Sequence, residues 1–356
     1  MLWILLQHLI LIFCWFIGWF VFWKLKFLSE SKPNDFPKVS LIIPARNEEK
    51  NLSKILSALK KQTYKNLQII VVNDNSTDAT KQVAMRFDGI VLVDLKEEPP
   101  PGWVGKSWAC WNGYLNSDGE IIVFMDADVE PEENAVETLV ALLMKDGGLV
   151  SVWPNQRLEK FYEHLTLPFN MIVIGSMGSF SVFNLKPMGA YGPVVVVRKK
   201  DYEETKGHSA FKNGVLEDIK LGRLFIEKGY AVNNYLGGRI IRFRMYPNSF
   251  KEMFEGFTKN MSLGAASAGL NFFLVFSWLV GVYSSIFNLL SPSFFIYYFL
   301  FVLQIYIVSR KTGDYNFLDA FLYPMHFSFF LIVFFTSLIK VIFFKTVVWK
   351  GRKIRV

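Results

Sequence analysis

The sequence of 356 residues predicts an α/β domain built on a mostly parallel sheet, flanked on both sides by apolar helices of membrane type. Three observations carry that expectation. Between Val39 and Val152, short β-branched runs alternate with helical periodicity, as in strands joined by crossover helices. Hydrophobic residues make up 52% of the chain and aromatic residues 17%, with 35 Phe, more than a water-soluble domain usually carries. These residues pile up before Lys24 and after Met261, while the middle has the mixed polarity of a globular domain.

The elements come in order along the chain. Leu2–Trp23 holds no charge and matches the ~20 residues a helix needs to cross a bilayer core. Lys24 and Lys26 come after the run, and no small-residue cleavage site succeeds it. Residues 1–26 therefore read as an uncleaved anchor rather than a signal peptide, and the two lysines place the next part of the chain in the cytoplasm. After the polar linker Ser29–Lys38, a domain over residues 37–262 begins with the strand Val39–Ile43. Leu52, Ile55, Leu56 and Leu59 recur at helical spacing. Leu67–Val72, Ile90–Val93, Ile121–Met125 and Leu149–Val152 read as further strands, and Thr77–Phe87, Lys106–Asn116 and Glu132–Lys145 as helices.

Leu165–Leu185 is uncharged, but Pro168, Asn170, Gly175 and Gly178 interrupt it. A crossing there would also put the polar clusters of the domain on opposite sides of the membrane, so a membrane-touching helix is expected. Asn260–Ser309 lacks charge and is divided by Ser291-Pro292, which gives two spans at about Leu270–Leu290 and Ser293–Val308. Ala320–Phe344 is a third run of sufficient length, although it carries His326 and Lys340. Residues 263–345 are thus read as two to three transmembrane or interfacial helices, and 346–356 as a basic tail. If all four apolar runs crossed, Lys345, Lys350, Arg352, Lys353 and Arg355 would lie outside, against the positive-inside rule. A re-entrant or interfacial C-terminal run would resolve this.

Several function classes are disfavoured. The two Cys, Cys14 and Cys110, cannot build a disulfide framework or a zinc site, which suits a reducing compartment. The net charge of +8 is not clustered or interleaved with aromatics as in a nucleic-acid module. Anionic lipid headgroups are the simpler counterpart, and no nucleic-acid partner is expected. Too much of the chain is soluble, and no span carries a clear charged pathway, for a transporter.

The chemistry sits at strand ends. Pro44-Ala45-Arg46-Asn47-Glu48 comes after the first strand, Asp74 after the second, and Asp126-Ala127-Asp128 after the fourth. Ligands on such sheets bind at the carboxyl edge, where these ends converge. Each cluster alone has a plain explanation, a helix cap or a turn rich in Asp. Alternate carboxylates leaving a buried strand also suit a hard divalent cation. Gly105-Lys106-Ser107 resembles the end of a P-loop, but Pro100 stands where that motif needs Gly. Lys106 at a helix start remains suited to a phosphate. Glu217-Asp218 supplies a carboxylate able to deprotonate a hydroxyl, against the alternative of a solvated helix face. His8, His164 and His326 read as interfacial or buried polar residues, and His208 as a candidate for lining the site.

Taken together, Pro-Ala-Arg-Asn-Glu, Asn-Asp-Asn-Ser-Thr-Asp, Gly-Lys-Ser-Trp-Ala, Asp-Ala-Asp and Glu-Asp-Ile-Lys-Leu-Gly, in this order between about Val39 and Asn260, resemble the inverting family 2 glycosyltransferases. Within that family, Pro99–Cys110 and the late Trp349-Lys350-Gly351-Arg352 look most similar to carotenoid-acid glucosyltransferases of the staphyloxanthin type and to hopanoid-associated transferases. The resemblance implies a GT-A, Rossmann-like nucleotide-sugar-binding domain. It implies that Ala45, Asn47 and Glu48 line the nucleotide pocket and that Asp74 contacts the base. Lys106 would approach the nucleotide or its phosphates, Asp126 would touch ribose or metal, and Asp128 would ligate the metal. Asp218 is the implied general base. The implied co-substrate is a UDP-sugar, probed first as UDP-glucose, with Mg²⁺ or Mn²⁺. The implied acceptor is a lipid or isoprenoid such as a carotenoid acid, at a cell membrane crossed more than once, with the catalytic domain cytoplasmic. No Gln-x-x-Arg-Trp string precedes the C-terminal runs, which disfavours a processive polysaccharide synthase. A polyprenyl-phosphate, glycerolipid or sphingolipid transferase, a polysaccharide synthase, and an inactive membrane scaffold stand as alternatives.

Overall fold

A computed structural model describes residues 2–183, 185–212, 216–267, 270–288, 291–292, 294–344, 346–349 and 352–355. The N-terminal helix α1 (Leu2–Val21) leads into β1 (Val39–Ala45), α2 (Glu49–Lys60), β2 (Leu67–Asp74), α3 (Thr80–Met85), β3 (Ile90–Leu95), α4 (Gly105–Leu115) and β4 (Ile121–Met125). Then come β5 (Val129–Pro131), α5 (Ala135–Asp146), β6 (Leu149–Trp153) and β7 (Asn155–Gln156). After these lie α6 (Leu167–Ser176), β8 (Val194–Arg198), α7 (Lys199–Glu204), α8 (Glu217–Glu227), β9 (Val232–Leu236) and β10 (Ile241–Phe243). The C-terminal part holds α9 (Phe250–Ser267), α10 (Leu270–Phe287), α11 (Phe295–Thr312), α12 (Phe317–Phe321), α13 (Tyr323–Ile339), β11 (Thr346–Trp349) and β12 (Arg352–Arg355).

The strands form a seven-stranded sheet in the order β3-β2-β1-β4-β8-β6-β9. β3, β2, β1 and β4 are mutually parallel, so their carboxyl ends share one edge. β8 alone runs antiparallel, between β4 and β6. Because side chains alternate across a strand, β1 sends Leu41 and Ile43 to one face and Ile42 to the other. The first face packs on Leu52, Leu56, Val136, Leu139 and Val140 of α2 and α5. The second packs on Ala109 and Cys110 of α4 and on Leu221 and Phe225 of α8. Burial of each such Leu, Val or Phe stabilises by about 1.5–3 kcal/mol. Helix α4 comes so close to the sheet that a Cβ on Gly113 would lie 2.3 Å from Ile42 Cγ2.

The helix expected over Thr77–Phe87 is shortened to Thr80–Met85. The residues before it are spent on a turn: the Asp78 carboxylate accepts from the backbone N–H groups of Glu49 (3.1 Å) and Thr80 (2.9 Å), a local bond that competes with helix. Likewise α5 starts only at Ala135, because Val129–Pro131 pairs with β10 in a separate three-stranded sheet.

The apolar helices pack as one bundle against the α/β layers. Trp278 of α10 donates to Gln304 Oε1 of α11 (2.9 Å), and Gln304 Nε2 donates to the Trp15 carbonyl of α1 (2.8 Å). Gly281 lets α10 approach α1, since a Cβ there would sit 2.5 Å from that of Cys14. Tyr283 donates to the Phe327 carbonyl of α13 (2.9 Å). Among the described residues, Leu2–Val21 and Tyr323–Phe343 are long and apolar enough to cross a membrane, and Asn271–Phe287 is a shorter apolar helix. Within the uncharged Leu165–Leu185 run, Leu167–Ser176 forms α6, entered from a 3₁₀ turn over Phe161–Thr166, and its Leu167, Phe169 and Met171 are fully buried.

Helix α13 touches the α/β side at both ends. Ahead of it, Tyr315 bonds Thr166 (2.8 Å) and Asp319 bonds His164 (2.6 Å), with His326 Nε2 3.9 Å from the same Asp319 oxygen. At its far end Lys340 donates to Thr258 Oγ1 of α9 (3.5 Å).

Candidate active site

At the carboxyl edge of the parallel strands lies a cavity of about 860 Å³. Ala45 and Glu48 reach it from the end of β1, Asp74 from β2, and Asp126 and Asp128 from the turn after β4. Lys106, in the first turn of α4, and Asp218, in the first turn of α8, complete its polar end. The fold thus brings seven of the eight residues singled out in the sequence to one cavity.

The eighth, Asn47, holds the rim instead of lining the cavity. Its backbone has φ +53°, a left-handed conformation that Asn tolerates better than most residues. Its N–H donates to Ser76 Oγ (3.1 Å), and its side-chain oxygen accepts from the Thr77 N–H (2.8 Å). Beside it, Arg46 Nη1 donates to the carbonyls of Asp74 (2.8 Å) and Asn75 (3.2 Å). These bonds clamp the loops after β1 and β2 together and so fix where Asp74 and Glu48 stand.

Lys106 is the hub of the site. Its ammonium lies 2.9 Å from Asp126 Oδ1, 3.3 Å from Glu217 Oε1 and 3.6 Å from Asp218 Oδ2. Burial opposes its charge, but Asp126, Asp218 and Glu217 outweigh burial and hold its pKa well above the usual lysine value. Burial raises the Asp126 pKa against the pull of Lys106. Asp218 is pushed up to about 8, first by burial and then by the Glu217 charge, which together exceed the attraction of Lys106. A carboxyl poised near neutral pH is suited to proton transfer. Its position is tightly set, since a Cβ on Gly192 would lie 1.9 Å from Asp218 Oδ2.

Asp126 and Asp128 offer hard oxygens, and the Lys106 ammonium at 2.9 Å already neutralises part of the Asp126 charge, so a cation there would share that carboxylate with it. Among the described residues, no three His, Cys, Asp or Glu side chains form a complete metal site. A divalent cation on Asp126 and Asp128 would therefore be completed by diphosphate oxygens and water, a mode natural to Mg²⁺.

Two features were not singled out in the sequence. Tyr246 has φ +55°, uncommon for an aromatic residue. Its carbonyl accepts from Tyr162 (2.9 Å) and its ring abuts Gly256, where a Cβ would come within 2.3 Å. It lines the cavity, and burial, with the charges of Asp128, Glu252 and Asp126, raises its pKa. Nothing in Met245-Tyr246-Pro247 announces that conformation. The second is the other end of the cavity, walled by Val173 of α6 and Met177 just after it, Leu279 and Tyr283 of α10, and Leu331 and Phe334 of α13. His208 takes no part: it is buried, bonded to the Tyr202 hydroxyl (2.7 Å) and held neutral, its pKa lowered to about 4 by burial.

Comparison with known proteins bears on the family and the fold. The family model described as glycosyl transferase family 2 matches residues 40–206. The chain is 33% identical over 332 residues to a 4,4'-diaponeurosporenoate glycosyltransferase of Staphylococcus haemolyticus, covering 88% of both chains. It is 33% identical over 330 residues to the protein of that name in Staphylococcus aureus, again covering 88% of each. Among solved structures, a mannosyltransferase from Pyrobaculum calidifontis in complex with GDP-Man and Mn²⁺ superposes with a TM-score of 0.60. That likeness covers 95% of this chain and 96% of the other at 14% identity, and it speaks to the fold alone.

Proposed function

The chain belongs to glycosyl transferase family 2, an inverting enzyme family, and from that premise we propose that it moves a hexose from a nucleotide-sugar to a lipid-like acceptor at a membrane. The donor on this reading is a UDP-sugar, with UDP-glucose the first to test, and the acceptor an isoprenoid such as a carotenoid acid, in keeping with the names of the relatives. The observation that carries the reading is the single cavity, carboxylates and Lys106 at one end, aliphatic and aromatic side chains at the other. A water-soluble donor and an apolar acceptor need such a space, where each half meets its own kind of surface.

On this reading Ala45, Glu48 and Asp74 seat the nucleotide, while Asn47 and Arg46 hold the loops that carry them. Asp126 and Asp128 hold Mg²⁺ or Mn²⁺, which when bound neutralises charge on the leaving diphosphate. Lys106 adds a fixed positive charge beside it. Asp218 takes the proton from an acceptor hydroxyl. The acceptor oxygen attacks the anomeric carbon, the carbon–oxygen bond to the diphosphate breaks, and its electron pair leaves with the nucleoside diphosphate. One displacement inverts the configuration. A carboxylic acid acceptor arrives already ionised at neutral pH and relies less on the base.

The membrane reading rests on the apolar surfaces of α1, α10, α11 and α13, including Phe13, Phe16, Phe273, Phe299 and Ile332, all exposed. It puts the sheet on the cytoplasmic side, in keeping with Lys24 and Lys26. The decisive experiment is UDP binding and UDP-glucose turnover by detergent-purified protein with Mn²⁺ or Mg²⁺, beside Asp128→Ala. Metal-dependent binding lost in the variant is expected. Well-folded protein that binds no UDP with either metal would refute the assignment.

A further inference from the structure

We infer that the apolar end of the cavity seats the acceptor's tail, that the tail is an elongated apolar chain lying along α10, and that it points away from the sheet while its reacting end meets Asp218. The inference rests on the transferase reading above and adds the seat, the orientation and the length of the acceptor.

The spacing on α10 is the first support. Phe272, Phe276, Leu279, Tyr283 and Phe287 all border the cavity, and their spacing keeps them on one helical face for four turns. The opposite face is filled: Trp278 bonds Gln304, Gly281 abuts Cys14 and Ser285 bonds Tyr323. A helix packed tightly on one side thus keeps its other side along an open space. The strip lines the same cavity as the carboxylates, so an apolar group held there is continuous with the polar end of the site.

Chemistry narrows the occupant. The strip is aromatic and aliphatic, and the Tyr283 hydroxyl is already committed to the Phe327 carbonyl. A sugar, nucleotide or peptide tail would lose its hydrogen bonds to water there without replacement, whereas a hydrocarbon gains by burial. Orientation is given by the ends of α10. Its first turns lie by the α/β side, with Gly175 and Gly178 of the α6 region against Val275 and Asn271. Its last residue, Phe287, is 82% exposed. The tail therefore runs from the carboxylates outward. Phe272 to Phe287 is 15 steps, about 22 Å of helix at 1.5 Å each. An extended chain advances roughly 1.2 Å per bond, so the strip matches a linear tail of about 18 bonds.

The test is photo-crosslinking of the full-length protein in detergent with UDP and Mn²⁺. The probes are straight-chain acids of about eight, twelve and eighteen carbons, each with a diazirine at its terminal carbon, sized by that same rise per bond. Labelled residues are expected to move along α10 with length, from Phe272–Phe276 for the shortest acid to Tyr283–Phe287 for the longest. Val280→Trp, which fills the strip midway, should abolish labelling of Tyr283–Phe287. Should that variant fail to fold, Leu331→Trp blocks the same space from α13. Labels that do not move with length, or that fall on outward-facing Phe273 and Phe16, overturn the inference. Metal-dependent UDP binding on the same sample separates that failure from failure of the transferase reading, since loss of both would defeat the two together.

Discussion

Replacing Asp218 by Asn should abolish most transfer yet stabilise the ligand-free protein. The Asp218 carboxyl has a pKa of about 8 in the folded chain against a reference of 3.8. A folded value above the unfolded one means that the native state keeps its proton to higher pH. The resulting stability is fully present below pH 3.8 and is lost as pH rises through about 8. One pKa unit corresponds to about 1.4 kcal/mol, so the full shift would correspond to ~5–6 kcal/mol. The side chain is 21% exposed and shares Lys106 with Asp126 and Glu217. We therefore expect the unfavourable charge to cost ~2 kcal/mol above pH 8. Asn does not titrate, so the gain of Asp218→Asn should be small near pH 4, grow with pH and level off above about pH 8. At roughly 2–4 °C per kcal/mol for a domain of this size, the thermal midpoint should rise by about 4–8 °C. Tryptophan fluorescence during heating, across that pH range and without nucleotide or metal, measures it. Transfer to a hydroxyl acceptor should fall by about 10²–10⁴, and transfer to a carboxylic acid by less. A variant less stable than the parent at pH 8, or a gain that does not vary with pH, would refute the reasoning.

Three further outcomes are expected. Gly192→Ala, whose Cβ would lie 1.9 Å from Asp218 Oδ2, should push the carboxylate aside and lower kcat by about a hundred-fold; steady-state kinetics with an unchanged kcat would show that Asp218 has room to move. A tag at the C-terminus and one in the Ser29–Lys38 linker should be cleaved from the same face of sealed vesicles, and cleavage from opposite faces would rule out a re-entrant α13. The Asp128→Ala variant should lose metal-dependent UDP binding, as read by calorimetry.

The legible part of the fold is the part whose signals are local. Strand ends and helix periodicity are local, so Val39–Ile43, Leu67–Val72 and Ile121–Met125 fall inside β1, β2 and β4. Parallel order then forces Ala45, Asp74 and Asp126 to one edge, which is why a linear string of motifs foretold one cavity. The antiparallel β8 was not legible, because Val194–Arg198 reads the same in either direction and only its neighbours decide. Glu217 was legible as part of a carboxylate pair able to take a proton or as an exposed acid on a helix face, and local pattern could not decide between the two. Its 6% exposure and its contact with Lys106 depend on α4 and α8 meeting, which no local pattern encodes. The positive φ of Tyr246 is imposed from outside, by Gly256 and Tyr162. Asn47 was legible as part of the site but not in its role, since a rim residue and a lining residue share the same motif.

The distribution of charge and the path of the last helix bear on each other. Four crossings would carry the basic tail to the face opposite Lys24 and Lys26, against the usual bias. In the fold, the chain leaving α11 returns to the α/β side at once: Asp314 pairs with Arg242 (2.5 Å) and its N–H donates to the Gln156 carbonyl (2.8 Å). From there Asp319 and His326 remain within reach of His164, and Lys340 reaches Thr258. His326 and Lys340 are separated by 14 steps, about 21 Å of helix, less than the ~30 Å hydrocarbon core. Contacts with His164 near its start and with α9 near its end favour a helix that turns back over one that crosses. Although Tyr323–Phe343 is long and apolar enough to cross, we propose three crossings, by α1, α10 and α11, with a re-entrant α12–α13 pair after them, a path that would keep the tail with the catalytic domain and satisfy the charge rule. Leu331 and Phe334 line the cavity together with Leu279, so on that proposal the re-entrant helix would also wall the proposed acceptor seat.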